Sequence, residues 1–244
     1  LLSYGCTVTG CDRTPREKLD GEVLALEELG CKLKVGDTYL HDLQADVVFR
    51  TPGMHPGNPA LTQLREQGAV ITSEMEAFFS LCPCTTIAVT GSDGKTTTPT
   101  IIAKLLEKAG YTVHLGGNIG NPLLCEADTM RVTDIAVLEL SSFQLMTMGK
   151  SADKAIVTNL SPNHLDVHKD MDEYVESKKN IFNFQSEGDI LVVNADNDIT
   201  APLAGPGSTC AFSRAGKNVK VRLEDGVIYR DGVAVLNKAD ILLP

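Results

Sequence analysis

Between residues 91 and 97 the chain reads Gly91-x-x-Gly94-Lys95-Thr96-Thr97, with Ser92 and Asp93 between the glycines. This set of residues suits phosphate. Glycines let backbone N–H groups converge on one point, a following helix N-terminus adds partial positive charge, and the Lys95 ammonium neutralises the outer phosphates. Thr96, the first hydroxyl after the lysine, is placed to reach a magnesium ion. The longer phosphate-loop pattern has a glycine at position 89, where this chain has Val89, so the loop is the shorter form. The plainer alternative is a Gly-Ser turn beside a surface lysine.

Other residues of chemical interest also fall at strand ends. Glu139 interrupts an apolar run over 135–140 and is followed by Ser141, Ser142, Phe143 and Gln144. A carboxylate near the end of a buried strand costs on the order of several kcal/mol unless paired, and magnesium is a natural partner. The alternative is an edge-strand glutamate facing water, against which stands the absence of alternation in the run. A second glycine-rich turn, 116–122, carries Asn118 and Asn121. Two such loops at strand ends of one sheet suggest a shared ligand cleft, although a simple connector would look similar. A strand over 155–158 delivers His164 and Asp166 to the same rim. Asp12 lies beyond a short strand over 6–9, where an acidic residue either meets a ribose hydroxyl or is a solvated turn aspartate. The helical pattern over 171–184 puts Tyr174, Ile181 and Phe182 on its apolar side, and its periodicity gives Lys178 and Lys179 to solvent. His168 reads as a surface residue.

The elements that must position these groups alternate. Thr14, Pro15 and Glu17 read as a capping box with proline at the first helical position. A strand over 46–49 runs into the glycine- and proline-rich loop 50–58, then Asn58 and Pro59 start a helix that ends at Gly68. A strand over 70–72 and a helix opened by Ser73 and Glu76 complete a first domain, expected over 1–81 as a small Rossmann-like parallel sheet. The second domain, expected over 85–244, starts with a strand over 87–89, the phosphate loop, a helix over 101–109 and a strand over 112–115. Pro99 would delete one bond in that helix if Gly94 caps it, predicting a local kink. After a strand over 190–194, strands over 219–223, 227–230 and 233–235 are separated by Asp225-Gly226 and Asp231-Gly232 turns, an antiparallel meander added to a mostly parallel sheet.

The 244 residues carry a formal net charge of −10, which argues against nucleic acid as a partner, because phosphate backbones need a basic face. No apolar run approaches the roughly 20 residues of a membrane span. Seven cysteines with a lone Cys82-Pro83-Cys84 spacing read as free thiols of a reducing cytosol rather than a zinc site. The chain opens on Leu1 without a methionine, so the true N-terminus is expected upstream.

Taken together these residues resemble the ATP-dependent Mur ligases of peptidoglycan synthesis. The resemblance covers nearly the whole chain. It rests on the 90–97 loop, on Gly117, Asn118, Ile119 and Gly120, on the string from Leu138 to Leu145, on Asn163, His164 and Asp166, and on Tyr174 followed four residues later by Lys178. The 138–145 string is closest to the branch that adds D-glutamate to a UDP-linked muramoyl-L-alanine. What the resemblance implies is a cytoplasmic, monomeric ligase that activates a carboxylate as an acyl phosphate and couples it to an amine. Gly91, Ser92, Asp93, Gly94, Lys95, Thr96 and Thr97 would bind ATP, with two magnesium ions held by Thr96 and Glu139 and by His164 and a carbamylated Lys178. That role for Lys178 reverses the reading from periodicity. Asp12, Arg13, Thr51, Pro52 and Gly53 would take the UDP end, and Asn118, Ser141 and Gln144 the muramoyl side. Departures from the family pattern are Pro99, a first strand expected before Leu1 and a C-terminal domain expected after Pro244, so this chain alone is expected to bind nucleotide without ligating. Another Mur ligase, a folylpolyglutamate synthetase-like ligase or a non-catalytic nucleotide-binding module are the alternatives.

Overall fold

The computed structural model describes residues 1–162 and 168–240. His164 and Asp166 lie outside them. Contacts group the chain into one unit of Leu1–Val48 with Pro56–Ile71 and another of Phe49–His55 with Thr72 onward.

In the first unit, β1 (Thr9–Asp12), α1 (Gly21–Glu28) and β2 (Lys32–Val35) make a crossover whose strands pair in parallel. β3 (Val47–Phe49), α2 (Pro59–Glu66) and β4 (Val70–Thr72) follow, with β3 and β4 in a second two-stranded sheet. The single small sheet expected from the sequence is therefore two short ladders. Asn58 caps α2 by accepting from the Ala60 N–H at 2.9 Å, and Pro59 sits at the start, where a missing N–H costs nothing. The capping box at residues 14–17 does not form. Thr14 lends its N–H to Asp12 Oδ1 at 2.6 Å, residues Arg16–Lys18 make only a 3₁₀ turn, and α1 is capped instead by Asp20, which accepts from Glu22 at 3.0 Å. Asp12 is thus the last residue of its strand, not a residue beyond it.

Among the described residues, the second unit is built on nine strands. After α3 (Glu74–Leu81) come β5 (Thr85–Thr90), α4 (Thr97–Lys108), β6 (Val113–Gly117), β7 (Ile135–Glu139), α5 (Ser142–Leu145), β8 (Lys154–Val157), α6 (Met171–Lys179), β9 (Ile190–Asn194), β10 (Ser208–Ser213), β11 (Val221–Glu224), β12 (Val227–Arg230) and β13 (Val233–Asn237). Their order in the sheet is β13-β12-β11-β10-β9-β8-β5-β7-β6. From β6 to β11 every pairing is parallel, and β11, β12 and β13 are antiparallel. Ala88, Val89, Ala136, Val137 and Leu138 are fully buried, as strands covered on both faces require. The Asp225-Gly226 and Asp231-Gly232 turns have all four residues at positive φ, between 47° and 80°, the geometry that matches hairpin twist. Strand β10, which the sequence pattern did not separate from the meander, pairs in parallel with both β9 and β11.

Two helices differ from expectation. α4 begins at Thr97, so Pro99 falls in its first turn and the one i→i−4 bond it forgoes lies at the helix start, not in its middle. The Thr98 N–H donates to Gly94 at 3.1 Å and Thr100 to Thr96 at 3.3 Å, bracketing the bond to Lys95 that proline cannot make. α6 ends at Lys179. Beyond it Asn180, Ile181 and Phe182 bond back three residues instead of four, a tighter turn that still buries Ile181 and Phe182.

Candidate active site

Because β6, β7, β5 and β8 run parallel, the loops after them emerge at one end of the sheet, where ligands of open α/β sheets bind. The loop after β5 carries the residues expected to bind phosphate. A Cβ on Gly91 (φ 157°) would lie 1.9 Å from Thr158 Oγ1, so only glycine fits against the end of β8. That hydroxyl donates to the Asp93 carbonyl at 2.7 Å, and the N–H groups of Ser92 and Asp93 donate to the Asn159 carbonyl and Oδ1 at 2.8 and 3.0 Å. Ser92 Oγ is held by Tyr174 OH at 3.0 Å and by the Ser161 N–H at 2.9 Å. Lys95 curls over its own loop, with Nζ donating to the Ser92 carbonyl at 2.6 Å.

Glu139 ends β7 with 2% exposure, registered between Val89 of β5 and Gly117 of β6. One carboxylate oxygen accepts from Thr96 Oγ1 at 2.8 Å and the other from Asn118 Nδ2 at 3.0 Å. The Asn118 N–H also donates to the Glu139 carbonyl at 2.8 Å, and Gly117 (φ 97°) allows that approach, since its Cβ would sit 2.2 Å from the same oxygen. Among the described residues, no lysine, arginine or histidine nitrogen forms an ion pair with this carboxylate. Two hard oxygen donors facing each other, one anionic and lacking a cationic partner, fit magnesium, which takes few protein ligands and completes its shell with phosphate and water. No group of three or more potential ligands among His, Cys, Asp and Glu occurs among the described residues, which do not include His164 and Asp166.

Lys178 is buried, contrary to the periodicity, whereas Lys179 pairs with Glu176 at 2.8 Å on the outer face. Lys178 Nζ donates to Thr90 Oγ1 at 3.0 Å and to the Gly91 carbonyl at 3.1 Å, and lies 4.8 Å from the Tyr174 ring centre. Burial, reinforced by the Lys95 charge and opposed by Glu139, pushes its pKa down to about 7.

Ser141 and Gln144 form a reciprocal cap at the start of α5: Ser141 Oγ accepts from the Gln144 N–H at 3.2 Å, and Gln144 Oε1 from the Ser141 N–H at 3.0 Å. Gln144, Asn118, Gly117, Pro52 and the start of α3 line a cavity of about 340 Å³. The Thr51, Pro52 and Gly53 loop is held by Arg50, which the sequence reading passed over. Its buried guanidinium donates to the carbonyls of Thr51, Pro52, Met54 and Phe143 and to Thr147 Oγ1, at 2.7 to 3.3 Å. His168, read as a surface residue, is 2% exposed between α5 and α6, packed on aromatic rings that a two-residue spacing from Asp166 does not reveal. In the first unit Asp12 and Arg13 are exposed, and the Thr14 N–H lowers the pKa of the Asp12 carboxyl. All seven cysteines are free thiols.

Comparison with known proteins bears on this arrangement. Residues 89–237 match the Mur ligase middle domain. The UDP-N-acetylmuramoylalanine–D-glutamate ligase of Clostridium novyi is 52% identical over 83% of this chain and 44% of its own length. The ligase of that name from Acetivibrio thermocellus is 47% identical over 100% of this chain and 55% of its own. The chain thus spans about half the length of the curated relatives it matches. Among solved structures, UDP-N-acetylmuramate:L-alanyl-gamma-D-glutamyl-meso-diaminopimelate ligase from Neisseria meningitides aligns with a TM-score of 0.58 at 17% identity, over 96% of this chain and 79% of that one. The MurF ligase of Thermotoga maritima in complex with ADP aligns at 0.54 and 18% identity, over 96% and 56%. At those identities the likeness shows the fold, and no helix among the described residues is long and apolar enough to cross a membrane. With relatives near half identical along its length and a family match over most of its nine-stranded unit, the chain belongs to the Mur ligase family.

Proposed function

We propose that this chain carries the ATP and muramoyl-substrate sites of a UDP-N-acetylmuramoyl-L-alanine:D-glutamate ligase (MurD), a cytoplasmic, monomeric enzyme of peptidoglycan synthesis. The observation that carries the reading is the buried Glu139 carboxylate facing the Thr96 hydroxyl beside the phosphate loop, in a chain about half identical to ligases of that name. Residues 1–81 would serve the UDP end, through Asp12, Arg13 and the Thr51, Pro52 and Gly53 loop, and residues 85–244 the ATP and muramoyl sides.

In the first half-reaction a carboxylate oxygen of the L-alanyl group bonds to the γ-phosphorus of ATP while the bond to ADP breaks, leaving an acyl phosphate. The D-glutamate nitrogen then bonds to the acyl carbon, gives up a proton, and inorganic phosphate departs. Anionic groups must meet at close range, so the protein's task is charge cancellation and alignment. Amides of the 91–97 loop cradle the phosphates, and Lys95 exchanges the Ser92 carbonyl for a phosphate oxygen. Thr96 and Glu139 would hold one magnesium, and His164 with a carbamylated Lys178 a second, the ions offsetting phosphate charge when bound. The low pKa of Lys178 keeps part of its amine neutral near pH 7, the form that adds to carbon dioxide, and Asn118, Ser141 and Gln144 orient the muramoyl side.

The test is phosphate release by the full-length ligase that carries this chain, with ATP, magnesium and UDP-N-acetylmuramoyl-L-alanine. Release should require D-glutamate. Equal release with other amino acids would remove the MurD assignment. ¹³C NMR after adding labelled bicarbonate to this chain should show a carbamate signal that Lys178→Met lacks.

A further inference from the structure

His168 is a buried titratable group for which the mechanism above has no use. Its Nε2 lies 2.9 Å from Ser142 Oγ, and its Nδ1 lies 3.4 Å from Glu173 Oε2. Hydroxyl, imidazole and carboxylate stand in the order that activates a serine nucleophile, but Ser142 is only 2% exposed, so no acyl carbon reaches its oxygen. The arrangement instead ties two helices together. Nε2 and the Ser142 hydroxyl share one hydrogen bond, with the donor set by the ring tautomer. The imidazole also stacks on the Phe143 ring at 5.2 Å with 4° between planes, and meets the Tyr174 ring edge-on at 5.3 Å.

Each contact lands on an element that holds part of the site. Ser142 and Phe143 are the first two residues of α5, whose Gln144 lines the 340 Å³ cavity. Glu173 and Tyr174 belong to α6, which carries Lys178, and Tyr174 OH holds Ser92 of the phosphate loop at 3.0 Å. Four residues do not make a helix that holds its own position. Arg50 holds this segment through the Phe143 carbonyl and through Thr147 just beyond α5, and His168 holds it through Ser142 and the Phe143 ring. We propose that His168 is a positioning residue which, through Ser142 and Phe143, locks the Gln144 wall of the acceptor cavity to the helix that bears Lys178 and braces the phosphate loop. It therefore sets the spacing between the bound carboxylate and the ATP γ-phosphate.

Two readouts test this, the second of which rests on the ligase reading. Hydrogen exchange on this chain should show the Gln144, Leu145 and Met146 amides exchanging at least about tenfold faster in His168→Leu and in the milder Ser142→Ala, with α4 amides unchanged. His168→Gln, whose amide can still bond Ser142, should restore most of the protection. Unchanged exchange at 144–146, or an equal increase in α4, would overturn the proposal. In the full-length ligase the same variants should raise KM for the muramoyl substrate about tenfold and leave KM for ATP within about twofold, with Gln rescuing. A parallel rise in both constants, or failure of Gln to rescue, counts against it. If the wild type shows no D-glutamate-dependent turnover, the MurD assignment falls, and the exchange result still decides whether His168 locks α5.

Discussion

Lys178 should make the protein less stable at neutral pH than it would be without that amine. Its pKa falls from 10.5 to about 7 because the ammonium is stripped of water. The unfolded chain therefore binds the extra proton throughout the interval from about 7 to 10.5, and stability must rise with pH across it. At about 1.4 kcal/mol per decade, holding the charged form in the fold costs about 5 kcal/mol at pH 6, and about 2 kcal/mol of that remains at pH 9. Lys178→Met removes the cost along with two hydrogen bonds, to Thr90 Oγ1 and the Gly91 carbonyl, worth about 1 kcal/mol each. Thr90 Oγ1 keeps its bond to the Leu140 carbonyl at 2.7 Å. The variant should thus be about 3 kcal/mol more stable than wild type at pH 6 and nearly equal to it at pH 9. The assay is urea unfolding at pH 6, 7.5 and 9 in buffer freed of carbon dioxide, because a carbamate would cancel the charge. The difference between the two proteins matters, since thiols such as Cys84, pushed up to about 12 by burial, change stability above pH 9 in both. A difference that stays flat from pH 6 to 9, or a variant that is less stable at pH 6, refutes the argument.

Three further substitutions probe the site. Gly91→Ala should cost about 2 to 4 kcal/mol and weaken ATP binding at least about tenfold by titration calorimetry, because the new methyl displaces Thr158 from its bonds to Asp93 and Thr90. Arg50→Met should lower stability by about 3 kcal/mol in urea, since it strands the carbonyls that shape the Thr51, Pro52 and Gly53 loop. Glu139→Gln should keep the melting temperature within a few degrees while magnesium no longer strengthens ATP binding. A magnesium effect that survives would show that the cation is held elsewhere.

Local patterns in the sequence went far where local physics decides. Two Asp-Gly pairs announced hairpins, and their positive φ angles are what the strand twist demands. A glutamate breaking an apolar run announced a buried strand end, and Glu139 is 2% exposed there. Local patterns misled where tertiary competition decides. Thr14, Pro15 and Glu17 make an attractive helix start, but Asp12 takes the Thr14 amide and Asp20 is the working cap. Pro99 forgoes its bond to Lys95 as the sequence led one to expect, but α4 begins only at Thr97, so the loss falls in the first turn. The division into compact units also escaped local patterns, since Phe49–His55 sits with residues that follow 72, and Arg50 makes two of its bonds 93 and 97 residues away.

The adjacent pair Lys178 and Lys179 shows why such a site resists reading from one dimension. Successive residues on a helix point about 100° apart, so a charged pair straddling the boundary of the apolar face sends one member inward and one outward. Composition cannot choose between them, and the usual preference assigns both to water. The choice is made by distant groups: Thr90 and Gly91 supply acceptors, Tyr174 supplies a ring face, and the loop that provides them is held in turn by Thr158 and Asn159. The phosphate loop is recognisable in the sequence because its glycines answer a local demand. The lysine beneath it is not, because its environment is assembled from β5, α6 and the loop after β8. A buried amine placed behind a phosphate loop gains little stability as a cation, and the carbamate proposed above would give it a role there.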